Sequence, residues 1–173
     1  MVASVDGATE IYRLRRKANE AKRLTHHAAI DIAPSWSPDG QQIVFVSDRT
    51  GSPQLYLMDR DGGNLRRLSY TGSYNTSPVW SPDGRWIAYE TRVRGQFDIW
   101  LTDPTGEINF PIAEHPQSDE GPSWSPDSRK LAFSSRRRGR YDVYVMDWNG
   151  ENVLRLTQRA GQNIQPAWGP RMQ

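Results

Sequence analysis

The sequence predicts an all-β protein, a β-propeller made of four-stranded antiparallel blades. Two observations lead to this prediction. The chain of 173 residues repeats itself every 44 residues without a gap, and each repeat contains four short β-type runs separated by turn residues. A fixed period of 20 to 50 residues is typical of solenoids and propellers, and four antiparallel strands in each repeat favour a propeller. The repeat is marked by four tryptophans, Trp36, Trp80, Trp124 and Trp168.

The first strand of each repeat is the Pro-x-Trp segment, which is followed by a turn such as Ser-Pro-Asp-Gly at residues 37–40. Pro38 presets φ for a tight turn, Asp39 can accept hydrogen bonds from the following backbone, and Gly40 tolerates positive φ. We expect the tryptophan to pack between neighbouring sheets, where an aromatic ring removes a large area from water. Four copies of the motif indicate a structural role for these residues.

The other three strands of each repeat are read from β-branched and aromatic runs. The second is "QIVFVS", "WIAYET" or "KLAFSS", and the third is "QLYLMD", "DIWLTD" or "DVYVMD". The fourth is "LRRLS", "NFPIA" or "VLRLT". No run keeps a helical period for more than about two turns.

We therefore predict one propeller domain over residues 1–173. Strands two to four of a first blade occupy 1–28, full repeats occupy 29–72, 73–116 and 117–160, and 161–173 carry one further first strand. We expect the ring to close by pairing of the N- and C-terminal strands. Pairing within one chain gives a four-bladed ring, and pairing in a homodimer gives an eight-bladed ring. A third alternative is a piece of a longer propeller.

Composition excludes several classes of function. Without cysteine there is no disulfide, no cysteine-based zinc site and no thiol nucleophile. The 22 basic and 20 acidic residues leave a net charge of +2, which does not indicate nucleic-acid binding. No apolar run approaches 18 residues, so we expect no membrane insertion, and the first residues do not have the order of a signal peptide. No common catalytic motif is present, and we expect a protein that is not an enzyme.

The segment "PSWSPDG…IVFVSDRTGSPQLYLMDRDGGNLRRL" resembles the WD40-like repeats called PD40, which are found in the TolB family. The resemblance implies a six-bladed propeller that follows an α/β domain, although only four repeats and no α/β domain are present here. It also implies a periplasmic or cell-envelope location and a role as a non-catalytic protein-interaction scaffold. The implied partner is the peptidoglycan-associated lipoprotein of the Tol–Pal system. Similar repeats occur in peptidases, so the alternative is a gate or substrate platform of a peptidase or sugar-processing enzyme.

The loops between blades differ strongly from one repeat to the next, and we predict the partner-binding site there. The predicted contacts are Tyr70, Tyr74, His115, Glu120 and Arg159. An alternative binding surface is the basic hairpin loop that contains Arg136, Arg137 and Arg138.

One position at the start of each first strand carries a carboxylate or an amide. Its four copies are Asp31, Asn75, Asp119 and Asn163. A ring of such oxygens at the channel mouth could bind a hard cation such as calcium. The alternative is that each side chain caps the backbone of its own loop. We expect no other cofactor.

Overall fold

The computed structural model describes residues 1–5, 8–15, 20–158 and 161–169. Within these ranges, fifteen strands form four antiparallel sheets. The first sheet contains β1 (Val2–Val5), β2 (Ala8–Arg15) and β3 (Glu20–Arg23). The second contains β4 (Asp31–Trp36), β5 (Gln42–Ser47), β6 (Gln54–Asp59) and β7 (Arg66–Arg67).

The third and fourth sheets repeat the second. The third contains β8 (Asn75–Trp80), β9 (Ile87–Val93), β10 (Gln96–Thr102) and β11 (Asn109–Ala113). The fourth contains β12 (Asp119–Trp124), β13 (Lys130–Ser135), β14 (Asp142–Asp147) and β15 (Leu154–Arg155). Neighbouring strands in each sheet are consecutive in the chain. The prediction of an all-β fold with propeller-type sheets is thus confirmed. Within the described ranges, no helix has the length and apolar character needed to cross the bilayer.

The turn after each first strand is organised by the predicted residues. The Ser37 hydroxyl donates to Asp39 Oδ1 at 2.6 Å, and the backbone amide of Gln41 donates to the same oxygen at 3.0 Å. Gly40 has φ +67°. These bonds, first that from Ser37 and then that from Gln41, hold the pKa of Asp39 below its usual value. The aspartate is therefore a turn residue.

Each first strand is interrupted by a bulge at the residue before the proline of its Pro-x-Trp segment. The pairing register shifts there in β4, β8 and β12. The residue before the proline has positive φ at Ala33, Ser77, Gly121 and Gln165. A bulge re-aims the neighbouring side chains and backbone groups of the strand. Here the amides of the bulged Gly121 and Gln165 donate to the adjacent sheet, to Glu90 Oε1 and Ser134 Oγ.

The core lies between consecutive sheets, where three buried apolar clusters join the first sheet to the second, the second to the third and the third to the fourth. Trp80 and Trp124 belong to these clusters and are 9% and 7% exposed. Trp36 and Trp168 are 42% and 38% exposed. The predicted packing between sheets thus holds for the two middle tryptophans and fails for the other two.

The exposure of each tryptophan depends on whether first strands of adjacent blades lie beside it. Trp124 Nε1 donates to the Val79 carbonyl of β8 at 3.2 Å. The first sheet, as described, has only β1 to β3 and offers no first strand against which Trp36 could pack. Trp168 has such a neighbour, but none of the described residues covers its other side.

The C-terminal segment, residues 161–169, does not pair with β1 in this structure, so the prediction of closure within one chain is wrong for the described residues. Among them, β1 pairs only with β2. Trp168 Nε1 instead donates to the Ser123 carbonyl of β12 at 2.9 Å, the bond that Trp124 makes one repeat earlier. The segment therefore lies against the fourth sheet, where the first strand of a following blade would lie. Closure in a homodimer stays a prediction.

Candidate functional site

One face of the molecule, which we call the loop face, carries both the loops between sheets and the hairpin loops between second and third strands. The Ile30 amide donates to Asp48 Oδ1 at 2.8 Å, and the Arg92 amide donates to the Tyr74 carbonyl at 2.8 Å. The Arg136 amide donates to the Ser118 carbonyl at 3.0 Å. These bonds tie the backbone of the divergent loops to the hairpin loops beside them.

A cleft of about 750 Å³, the inner cleft, lies between β8, β12 and the C-terminal segment. Its lining includes Ser77, Gly121 and Gln165, which are the bulged residues of three consecutive first strands. Arg136 and Gln162 line the cleft from the loop face. The cleft therefore connects the inner strands of the third and fourth sheets with the loop face.

Glu120 is one of the predicted site residues, and it lines the inner cleft. The Tyr141 hydroxyl donates to Glu120 Oε1 at 2.6 Å. Burial, the hydrogen bond to Glu120 and the charge of Glu120 raise the pKa of Tyr141 to about 12. The tyrosine thus stays a hydrogen-bond donor at neutral pH and fixes the carboxylate.

Glu90, on β9, is a functional candidate that sequence reasoning missed. It is 8% exposed and lines the inner cleft beside Glu120. Its Oε1 accepts the amide of the bulged Gly121 at 2.7 Å. Burial raises the pKa of Glu90, and the charge of Glu120 raises it further. A signal was available, because the matched positions one repeat away are Val46 and Ser134, and only this copy carries a charge.

A second cavity of about 450 Å³, the loop-face pocket, contains His115, another predicted site residue. His115 Nδ1 accepts the Gln117 amide at 3.2 Å. The other ionisable groups in its lining are Arg94, Asp98 and Glu114. Asp98 is only 3% exposed. Burial raises its pKa to about 6, and the charges of Glu114 and Asp119 contribute.

The two predicted tyrosines lie outside the linings of these two cavities. Tyr70 is 72% exposed, and the Arg67 guanidinium lies over its ring at 4.8 Å from the centroid. Tyr74 packs edge-on against Phe97, with ring centroids 5.7 Å apart. Arg159 lies outside the described residues. The structure thus places the predicted contacts at separate points and not in one pocket.

The four positions predicted to hold calcium have other partners. Asp31 pairs with Arg49, and Asp119 pairs with Arg137, each at 2.9 Å. Asn75 Nδ2 donates to the Thr71 carbonyl of its own loop at 2.9 Å, as the capping alternative expects. Asn163 Nδ2 lies 3.5 Å from Asp142 Oδ1.

No group of three or more His, Asp and Glu side chains suited to a metal ion occurs in the described part of the chain. The calcium hypothesis, whose oxygens are partly amides, stays a prediction. In the basic hairpin, Arg137 is occupied by Asp119, while Arg136 lines the inner cleft and Arg138 is exposed.

Comparison with known proteins gives the family. The family described as PD40, TolB beta propeller domain, matches residues 1–172. The Tol-Pal system protein TolB of Desulfosudis oleivorans is 39% identical over 50 residues, which are 29% of this chain and 11% of that protein. The chain thus matches only a small part of the length of this relative.

Solved structures agree. TolB from Acinetobacter baumannii superimposes with a TM-score of 0.85 and 32% identity over 98% of this chain and 43% of that chain. A putative TolB from Agrobacterium tumefaciens gives a TM-score of 0.78 and 29% identity over 89% and 58% of the two chains. Propeller neighbours such as an oligogalacturonate lyase, at 15% identity, share the fold alone. The chain belongs to the TolB β-propeller domain family.

Proposed function

We propose that this propeller is a non-catalytic protein-interaction scaffold of the periplasm or cell envelope, with a role like that of the TolB propeller. The partner we propose is a peptidoglycan-associated lipoprotein. The support is the family match over residues 1–172 and the relative whose name places it in the Tol–Pal system. The peptidase and lyase neighbours, at 15–19% identity, share only the fold and therefore do not favour the enzyme alternative.

The observation that carries this proposal is the fixed pair of polar groups in the inner cleft. Glu120 is held by the Tyr141 hydroxyl at 2.6 Å, beside Glu90, whose carboxylate is anchored on the Gly121 amide. Groups already fixed before binding lower the ordering cost of association. A concave cleft with a few fixed polar groups suits recognition of a peptide segment.

The proposed contacts remain Tyr70, Tyr74, His115, Glu120 and Arg159. Tyr70 presents the most exposed aromatic ring among them in the described residues. Tyrosines are frequent anchors at protein interfaces because their rings are large and rigid.

The test is calorimetric titration of the chain with a purified peptidoglycan-associated lipoprotein. We expect the double substitution Tyr74→Ala and Glu120→Ala to weaken binding at least tenfold while the melting temperature changes little. The matched control is Glu107→Ala, an exposed turn residue between a third and a fourth strand, on the opposite face. Unchanged affinity in the double variant, with binding lost in Arg136→Ala and Arg138→Ala, would move the site to the basic hairpin.

Calcium belongs to the same proposal only as an ion bound by the side-chain oxygens at the start of the first strands. A cation that binds the native state alone raises the melting temperature as its concentration rises. The hypothesis predicts such a rise at millimolar calcium, reversed by a chelator and absent in Asn75→Ala. An unchanged melting temperature leaves the capping and ion-pair roles described above.

A further inference from the structure

Each blade has a buried polar side chain at the start of its third strand, near the loop face. Its four copies are Glu10, Gln54, Asp98 and Asp142, all between 0% and 3% exposed. A buried carboxylate is costly unless it is paired and hydrogen-bonded. The partners of these four side chains therefore decide what each junction between sheets can do.

In the first blade the pairing is complete. The Arg23 guanidinium and the Thr25 hydroxyl both donate to the Glu10 carboxylate. Both donors come from the end of the fourth strand and the residues that follow it. The amide of His27 also donates to Glu10 Oε1, at 3.1 Å.

The fourth blade repeats this arrangement. Arg155 Nη2 donates to Asp142 Oδ2 at 2.6 Å, and the Thr157 hydroxyl donates to Asp142 Oδ1 at 3.2 Å. In the second blade the residue is uncharged, and Gln54 Oε1 accepts from Ser69 Oγ at 3.0 Å and from Asn75 Nδ2 at 2.8 Å.

The third blade keeps the acid and loses both donors. The residue that matches Arg23 and Arg155 is Pro111, and the residue that matches the two threonines is Ala113. Neither proline nor alanine has a hydrogen-bond donor in its side chain. Asp98 Oδ1 is buried and has no hydrogen-bond partner among the described residues.

The acid that lacks these donors borders a cavity. Asp98 is part of the lining of the loop-face pocket, together with Glu114 and Arg94. Asp119, on the adjacent sheet, also acts on Asp98 through its charge but is itself paired with Arg137. Burial and the two neighbouring acids raise the pKa of Asp98, while the His115 amide and Arg94 lower it. The pocket thus favours an incoming positive charge.

We propose that the loop-face pocket binds the guanidinium group of an arginine side chain from a protein partner, which supplies to Asp98 the cation that Arg23 and Arg155 supply to Glu10 and Asp142. Arginine is favoured because a guanidinium pairs with the matched acid in both the first and the fourth blade. Its planar pair of donors matches the geometry of a carboxylate. A metal ion is less suited, since no cluster of three acidic or histidine ligands occurs among the described residues.

The site is within reach of a partner. The side chains of Arg23 and Arg155 are 30% and 20% exposed, so the matched position at the third blade borders solvent. The arginine pocket specifies which side chain of a protein partner binds at the loop face, and in that respect it rests on the proposed function.

The experiment uses N-acetyl-arginine-N-methylamide as the probe and the matching citrulline compound as its uncharged control. Binding is followed at pH 7 by NMR shifts of the backbone amides near Asp98 and His115. We expect saturable shifts with the arginine probe, and at least tenfold weaker binding of the citrulline compound. Asp98→Asn should weaken binding of the arginine probe by a similar factor.

Pro111→Arg is the decisive variant, because it restores the arginine in the chain itself. It should abolish binding of the probe and return the pKa of Asp98 towards its usual value, whereas Pro111→Thr, which removes the proline without adding charge, should keep probe binding. Equal binding of the citrulline compound, or binding that survives Pro111→Arg, would overturn the proposal. So would shifts produced by calcium alone at these amides with no response to arginine.

The outcome separates this inference from the proposed function. A probe that fails to bind, while lipoprotein binding still depends on Tyr74 and Glu120, refutes the arginine pocket alone. A probe that binds at Asp98, while the lipoprotein does not bind at all, refutes the proposed partner and leaves the pocket standing.

Discussion

The two middle tryptophans and the two outer ones occupy matched positions of the 44-residue repeat, yet they differ several-fold in exposure. Trp80 and Trp124 are 9% and 7% exposed, whereas Trp36 and Trp168 are 42% and 38% exposed. All four share the Pro-x-Trp segment, and Trp36 also shares the following Ser-Pro-Asp turn with the two buried tryptophans, so the difference comes from the sheet on either side. Burial of the repeated tryptophan therefore depends on the interfaces between blades, the nearest-neighbour contacts that contribute to stability in repeat proteins.

The largest effect is expected when a middle tryptophan is removed. Trp124→Ala should lower the free energy of unfolding by about 3–5 kcal/mol, because it leaves a cavity in a packed core. Trp36→Ala should cost no more than about 1–2 kcal/mol, since much less apolar area is lost from the interior. Urea denaturation of both variants measures the difference. Equal losses would show that the outer tryptophan is covered in solution, as a homodimeric ring requires.

The next effect concerns Asp98, at the junction of the third and fourth sheets. Its pKa rises from 3.8 to about 6 on folding, so the folded state binds this proton more tightly than the unfolded state. The free energy of unfolding should therefore fall, by about 3 kcal/mol, as pH rises from about 4 to above 6. Asp98→Asn should remove that dependence, and unfolding curves at pH 4, 5, 6 and 7 measure it.

Asp142 is the matched control for this prediction. Burial raises its pKa, but the hydrogen bond and the charge of Arg155 outweigh burial, and its pKa is lowered. The stability it contributes should be present above its unfolded pKa and lost as pH falls. Comparison of each Asn variant with the parent chain gives the direction in which each acid makes the free energy of unfolding change with pH. The same direction for Asp142 and Asp98 would contradict the assignment of Asp98 as the unpaired acid.

The smallest effect separates hydrogen bonding from packing. Trp124→Phe removes the donor to the Val79 carbonyl inside the core and should cost about 1–3 kcal/mol. Trp168→Phe removes the same bond to Ser123 at an exposed place, where water can replace the donor, and should cost less than about 1 kcal/mol. Thermal unfolding followed by circular dichroism compares the two, and a larger loss in Trp168→Phe would refute this explanation.

Much of the fold could be read from the sequence because the repeat has no gaps. Turn residues such as Pro38 and Asp39 carry their own local chemistry, so they predict the turns without any knowledge of distant contacts. The exposure of Trp36 and the placement of the C-terminal segment could not be read in this way. Both depend on which sheet stands next to a strand, and that is a tertiary property.

The candidate site was predicted only in part. Glu120 and His115 do line cavities, while Tyr70 and Tyr74 lie apart from those two. Glu90 and Asp98 were missed because each looks like an ordinary strand residue within its own repeat. Their significance appears only when matched positions are compared across repeats. Glu90 is the one charged copy of its position, and Asp98 is a buried acid whose usual donors are replaced by Pro111 and Ala113.

The bond from Trp168 to Ser123 also bears on how the chain folds. It joins residues 45 positions apart, as does the bond from Trp124 to Val79. Because these tryptophan bonds between blades span about one repeat, the entropy lost in closing each loop is about the same at either junction. Folding can then start at any pair of neighbouring blades and extend in both directions. During synthesis, each new blade can dock on a neighbour that is already folded, without waiting for a distant part of the chain.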